Sequence, residues 1–235
     1  MKKRVFNICA LLINFAIVIF TIDAISYNFR SDILRDPEWF GFTGIKCLRF
    51  FTNLSNIFVA IVAAIIVVFT IRNIVKDKYD FPQWLINLKF VATTAVSLTF
   101  LTVAIFLAPL FAMNGKGYFT LFMHNNFLLH FLSPVLAIIS FVFFERRDKI
   151  KFNTTILAAV PTILYAIVYT IMVVFVKPEN GGWPDFYGFT FGGRMWAAPI
   201  SAIAVLLVTF AIAVLLRFSH NKFVNKISIE DNQNP

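Results

Sequence analysis

Charge is the scarcest commodity in this chain. Only 14% of its 235 residues are charged, where a soluble domain carries about 25%, and only 12 residues are acidic. A water-facing surface cannot be furnished from that supply, so a soluble enzyme and a disordered chain are both excluded. Two cysteines are too few for a disulfide-stapled secreted domain, and Cys9 and Cys47 fall toward opposite ends of their segments. Gly-rich phosphate loops, paired cysteines and His-x-x-x-His spacings are missing, which leaves no expected cofactor and no metal site. Gly-x-Ser-x-Gly is also absent, so no serine-hydrolase elbow is present.

What is abundant is apolar. Hydrophobic residues make up 59% of the chain, 30 of them Phe, and the mean hydropathy is +0.79. A membrane-crossing helix needs about 20 mostly apolar residues, and six stretches qualify. They run from about Val5 to Tyr27, Phe50 to Ile71, Trp84 to Ala112, Met123 to Phe144, Thr154 to Val176 and Trp196 to Leu216. Strand-like alternation is missing, which argues against a β-barrel. The expected fold is therefore all-α and polytopic: one six-helix transmembrane domain over residues 1–218, followed by a short, polar, disordered tail at 219–235. The apolar run after Lys2-Lys3-Arg4 is long enough to span, so it reads as a retained anchor rather than a cleaved signal peptide.

A net charge of +9 would suit a nucleic-acid binder, but the basic residues sort by loop. Fourteen of the 21 Lys and Arg, among them Lys89, Arg146 and Arg147, fall on the side that carries both termini, and seven fall on the other. The positive-inside rule then places both termini in the cytoplasm. The charge is topological, and no loop is long enough to form a basic nucleic-acid-binding domain. The first outer loop, about Asn28 to Arg49, holds Asp36-Pro37-Glu38-Trp39. The loop from Lys177 to Arg194 carries Gly181-Gly182-Trp183-Pro184-Asp185-Phe186-Tyr187-Gly188. Its aromatic rings suit either the headgroup region or a lid over an outward-facing cavity.

Polar residues inside the spans are the candidates for function, because lipid makes them costly. Thr52, Ser55 and Asn56 recur at i, i+3 and i+4 early in the second span. Asn126, His130 and Ser133 do the same in the fourth, at matching depth. The two stripes are expected to face one another. Ser55, Asn56 and Ser133 also fit the ordinary role of polar glue between membrane helices. His130 needs a hydrogen-bond partner and titrates near neutral pH. Asp23, near the outer end of the first span, is a candidate partner for Arg30 or Arg49, and Asn14 lies deeper. Glu145, beside Arg146 and Arg147, reads as a marker of the membrane boundary.

The runs Arg49-Phe50-Phe51-Thr52-Asn53-Leu54-Ser55-Asn56 and His130-Phe131-Leu132-Ser133-Pro134, with Gly182-Trp183-Pro184 after the fifth span, resemble the androgen-induced-protein family, in its bacterial branch. The animal members of that family are six-helix intramembrane threonine hydrolases that cleave fatty acid esters of hydroxy fatty acids. The resemblance implies Thr52 as nucleophile and His130 as base. It further implies a membrane lipid or fatty-acid ester as substrate and the bacterial cytoplasmic membrane as location. The interval from His130 to Pro134 is one residue shorter than in the animal form. Asn53, Asn56, Asn126 and Ser133 are the candidate oxyanion donors, and Asp23 the candidate to orient His130. The other reading is a transporter or lipid-binding protein whose substrate path is lined by the same stripes.

Overall fold

The computed structural model describes residues 2–30, 44–78, 80–145 and 148–233; the Asp36–Trp39 cluster, Arg146 and Arg147 lie outside them. Six helices are long and apolar enough to cross a membrane: α1 (Arg4–Arg30), α2 (Phe51–Val75), α3 (Gln83–Met113), α4 (Asn125–Phe144), α5 (Phe152–Val176) and α6 (Ala197–Val224). The described residues contain no strand. The protein is an integral, multi-pass membrane protein by length and composition of these helices.

The helix ends sort into two groups. Asn7 of α1 donates to the Lys78 carbonyl after α2, and Arg217 of α6 donates to the Ile150 carbonyl before α5. These contacts define the end that carries both chain termini. At the opposite end Asn28, placed by sequence in a loop, lies within α1 and donates to Asn53 of α2 at 3.3 Å.

The core is built around α3. Between Leu85 and Thr99 it buries Ala92, Thr93, Thr94, Ala95 and Ser97 among larger apolar residues. Small side chains let neighbouring backbones approach, as membrane interfaces require. The apolar core joins α3 to Ile17, Val59, Val62, Ile66, Phe141 and Ile212 from four other helices. Helices α5 and α6 are the least buried of the six. Helix continues from α6 through Gln233, and no Gly or Pro interrupts the chain between Arg217 and that residue.

Two prolines set the shape of the site. Helix α4 widens to π geometry over Leu128–Leu132, where the Ser133 N–H reaches back to Leu128. In that register the Leu129 carbonyl should pair with residue 134, which is Pro and has no N–H. Asn56 of α2 fills the vacancy, donating Nδ2 to the Leu129 oxygen at 3.1 Å. The same logic recurs in α3. It is π-helical over Thr102–Leu107 ahead of Pro109, and the Tyr118 hydroxyl donates to the freed Ala104 carbonyl at 2.8 Å.

Candidate functional site

A cavity of about 760 Å³, its open mouth included, lies between the first turn of α2, the second half of α3, α5 and α6. Its wall is mainly apolar, with Leu98, Val103, Leu107, Val173, Val174 and Val205 contributing. Polar atoms enter as hydroxyls: Thr52, Thr99, Thr102, Thr162, Thr170 and Thr190, with Tyr165, Tyr169 and Tyr187.

The Lys177–Arg194 segment folds over this cavity, so its rings pack against the protein. Phe186 and Tyr187 are buried and pack with Tyr169 and Val173 of α5, while Tyr187, Phe189 and Thr190 line the cavity. Asp185 organises the segment. Its carboxylate accepts hydrogen bonds from the Tyr169 hydroxyl (2.7 Å), the Phe189 N–H (3.0 Å), and the Thr190 N–H (2.7 Å) and hydroxyl (2.6 Å). Burial alone would raise the pKa of this carboxyl. The hydrogen bonds from Thr190, Tyr169 and Phe189 outweigh it and hold the carboxyl below its ordinary value. Gly182 is required by close approach, since a Cβ there would stand 2.2 Å from the Met172 carbonyl oxygen. That approach lets the Trp183 N–H reach the same oxygen, one of the carbonyls left over near the end of α5. The Arg49 guanidinium lies 5.8 Å above the Trp183 ring and completes the rim.

Thr52 sits in the first turn of α2, where helix geometry leaves N–H groups unpaired. Phe50 precedes the helix and offers no side-chain cap. The cap comes from the lid: the Tyr187 hydroxyl oxygen accepts the Phe51 N–H at 3.0 Å. The Thr52 N–H and hydroxyl also bear on that oxygen. Burial pushes the Tyr187 phenol up to about 12, against the pull of these donors. The Tyr165 hydroxyl donates to the Arg49 carbonyl at 2.7 Å, tying α5 to the chain just ahead of α2.

The stripes expected to face one another divide. Asn56 does meet α4, donating to Leu129 and to the Thr52 carbonyl. Ser55 turns to α3, where its hydroxyl meets that of Thr99 at 2.9 Å. Thr52 opens on the cavity. Positions i, i+3 and i+4 cover enough of a helix surface to meet more than one neighbour.

His130 is not among the cavity-lining residues and shares no hydrogen bond with Thr52. Its Nδ1 lies 2.6 Å from the Leu121 carbonyl oxygen. A carbonyl can only accept, so Nδ1 carries the proton and a neutral ring keeps its lone pair on Nε2. Ser133 is fully buried with its hydroxyl unpartnered. Asn126 is half-buried at the start of α4.

Asn53 and Asp23 do not join the cavity. Asn53 is buried with both ends of its amide engaged, by the Cys47 carbonyl (2.7 Å) and by Asn28. Asp23 lies on the exposed face of α1, away from the cavity lining, with no ion pair or hydrogen bond to a described residue. Neither Cys9 nor Cys47 forms a disulfide with a described residue. Among the described residues no group of three His, Cys, Asp or Glu side chains comes together as a metal site would require.

Tyr165 and Tyr169 carry no mark of a site in the sequence, and Tyr187 reads there only as one ring of the lid loop. The i, i+4 spacing of the first two on α5 was the available signal, but their convergence on Thr52 depends on the path of the lid. No family model matches this chain, and no curated protein and no solved structure is detectably similar to it.

Proposed function

We propose that this protein is an intramembrane hydrolase of lipid esters, with Thr52 as nucleophile and His130 as base. The observation that carries the reading is the placement of the Thr52 hydroxyl. It opens, at a helix N-terminus, on a largely apolar cavity covered by an aromatic lid. An acyl chain fits such a wall, and an ester carbonyl drawn to Thr52 meets a hydroxyl nucleophile. Thr is a weak nucleophile until a base takes its proton, which the lone pair on His130 Nε2 does directly or through one water. Asn56 supports that partnership by holding the Leu129 backbone against the turn that carries Thr52. The likeness of the Thr52 and His130 runs to the androgen-induced-protein family supports the same chemistry. The excess of basic residues at the terminal end supports an orientation with both termini in the cytoplasm.

The test is turnover by the purified chain in lipid nanodiscs. A fatty-acid ester should be hydrolysed, and Thr52→Ala and His130→Ala should each abolish the reaction. A fluorophosphonate probe should label the wild type and spare Thr52→Ala. Full turnover in both variants refutes the reading. The position of His130 outside the cavity lining favours a second reading, a lipid-binding protein or transporter. Substrate flux in proteoliposomes without ester cleavage would establish that alternative.

A further inference from the structure

The lid sets the Tyr187 hydroxyl against Thr52. Its oxygen accepts the Phe51 N–H at 3.0 Å. Its hydroxyl neighbours are those of Thr52 and Tyr165, and among the described residues no carbonyl or carboxylate accepts its proton. The side chain is 9% exposed and lines the cavity. Three rings hold it, with centroids of Phe186 at 4.8 Å, Phe189 at 5.3 Å and Tyr169 at 5.5 Å. The result is a fixed, largely dehydrated O–H donor beside a hydroxyl nucleophile.

We propose that Tyr187 is a catalytic residue of the Thr52 centre, donating its phenolic hydrogen bond to the ester carbonyl oxygen as negative charge develops there. This rests on the hydrolase reading. In the acylation step the Thr52 oxygen forms a bond to the carbonyl carbon and the Thr52 proton passes to His130. The C=O π pair moves onto oxygen, which becomes the alkoxide that Tyr187 stabilises. That pair then re-forms the carbonyl, the bond to the alcohol oxygen breaks, and the alcohol leaves with the proton from His130. Water repeats the sequence on the Thr52 ester and releases the fatty acid. Tyr187 gives up no proton at any stage. Its phenol, with pKa pushed up to about 12, stays protonated at neutral pH and remains a donor throughout. The Phe51 N–H, by polarising the phenol oxygen, strengthens that donor. A preorganised donor in a water-poor site is the type of group whose loss lowers turnover about 10²- to 10³-fold.

The experiment compares wild type, Thr52→Ala and Tyr187→Phe in nanodiscs, using a fatty-acid ester, a trifluoromethyl ketone analogue and the matching ether. The ketone forms an alkoxide on Thr52, whereas the ether has no carbonyl. Tyr187→Phe should lower kcat about 10²-fold with KM nearly unchanged. It should weaken inhibition by the ketone to the same degree and leave ether binding intact. Turnover at the wild-type rate in Tyr187→Phe, with Thr52→Ala inactive, overturns the role of Tyr187 and leaves the hydrolase reading standing. Equal weakening of ketone and ether binding also overturns it, because a purely structural cap on α2 would produce that pattern. A wild type that neither turns over nor labels at Thr52 removes both proposals together. If Tyr187→Phe does not fold, a fluorinated tyrosine at position 187 carries the test. A stronger donor should tighten ketone binding alone, and unchanged ketone affinity overturns the proposal.

Discussion

The Lys89 ammonium and the Glu145 carboxylate face one another 3.6 Å apart inside the helix bundle, and neither side chain is exposed. Asn14 links them. Its Oδ1 accepts from Lys89 Nζ at 2.6 Å, and its Nδ2 donates to Glu145 and to Ser140 Oγ. The Ser140 hydroxyl also donates to Glu145. Three helices, α1, α3 and α4, are joined through two opposite charges that composition and position assigned to the membrane boundary. Breaking one partner of such a pair strands a buried charge, at about 3–5 kcal/mol, whereas replacing both together is far milder.

Lys89→Met and Glu145→Gln are therefore expected each to lower stability by about 3 kcal/mol or more. The double variant should recover most of that loss. Thermal unfolding in detergent of the wild type, both single variants and the double variant closes the cycle. Additive losses would show that the two side chains do not act as a pair.

The Asp185 clamp predicts the acid behaviour of the lid. Its carboxyl is held below the ordinary value of 3.8, so the native form favours the ionised state more than the unfolded chain does. That stabilisation is fully present above the unfolded value and is lost as pH falls through the folded one. In a variant whose only tryptophan is Trp183, fluorescence should stay level from pH 7 down to about 5 and change only in more acidic solution. Asp185→Asn should show a loosened lid at neutral pH and no acid transition. A transition centred near pH 6 would mean that another group controls the lid.

Gly182 and Lys177 make opposite predictions five residues apart. Gly182→Ala forces a Cβ onto the Met172 and Lys177 carbonyls, at 2.2 and 2.6 Å, both of them backbone atoms that cannot step aside. The lid should detach, with faster proteolysis between Lys177 and Arg194. Lys177 itself has φ 62° and ψ 155°, a region that glycine adopts readily and other residues adopt under strain. Lys177→Gly should be neutral or stabilising by up to about 1 kcal/mol. A Lys177→Gly variant that is cleaved as fast as Gly182→Ala would contradict this account of the junction.

Helix number and approximate limits were legible because a lipid-spanning run announces itself locally, over about 20 residues. Thr52 was legible too, as a polar residue early in an apolar span. Pairings between distant positions were not. Lys89 lies two turns into α3 and reads as a boundary charge until Glu145, 56 positions later, is brought against it. Asn56 and Pro134 were both visible as polar glue and helix breaker. Their connection appears only once the π register of α4 shows which carbonyl the proline leaves unpaired. Asn53 looked like an oxyanion candidate because an amide donor is competent anywhere. Its neighbours Cys47 and Asn28 consume it.

The cavity wall offers a separate test of what it accommodates. Ala166 of α5 and Ala202 of α6 both line it, and each is small enough that a larger side chain would project into the free volume. Ala202→Phe should shorten the longest acyl chain that the protein retains, measured by mass spectrometry of lipids released from the purified sample. Headgroup preference should not change, because the Thr52 and Tyr187 hydroxyls proposed to receive the polar end are untouched. Ala166→Phe approaches the same space from the neighbouring helix and should act in the same direction. Some loss of stability is expected from overpacking, about 1–3 kcal/mol. The chain-length shift, read among molecules that remain folded, separates occupancy from stability. An unchanged distribution of chain lengths in both variants would show that the acyl chain does not occupy this cavity.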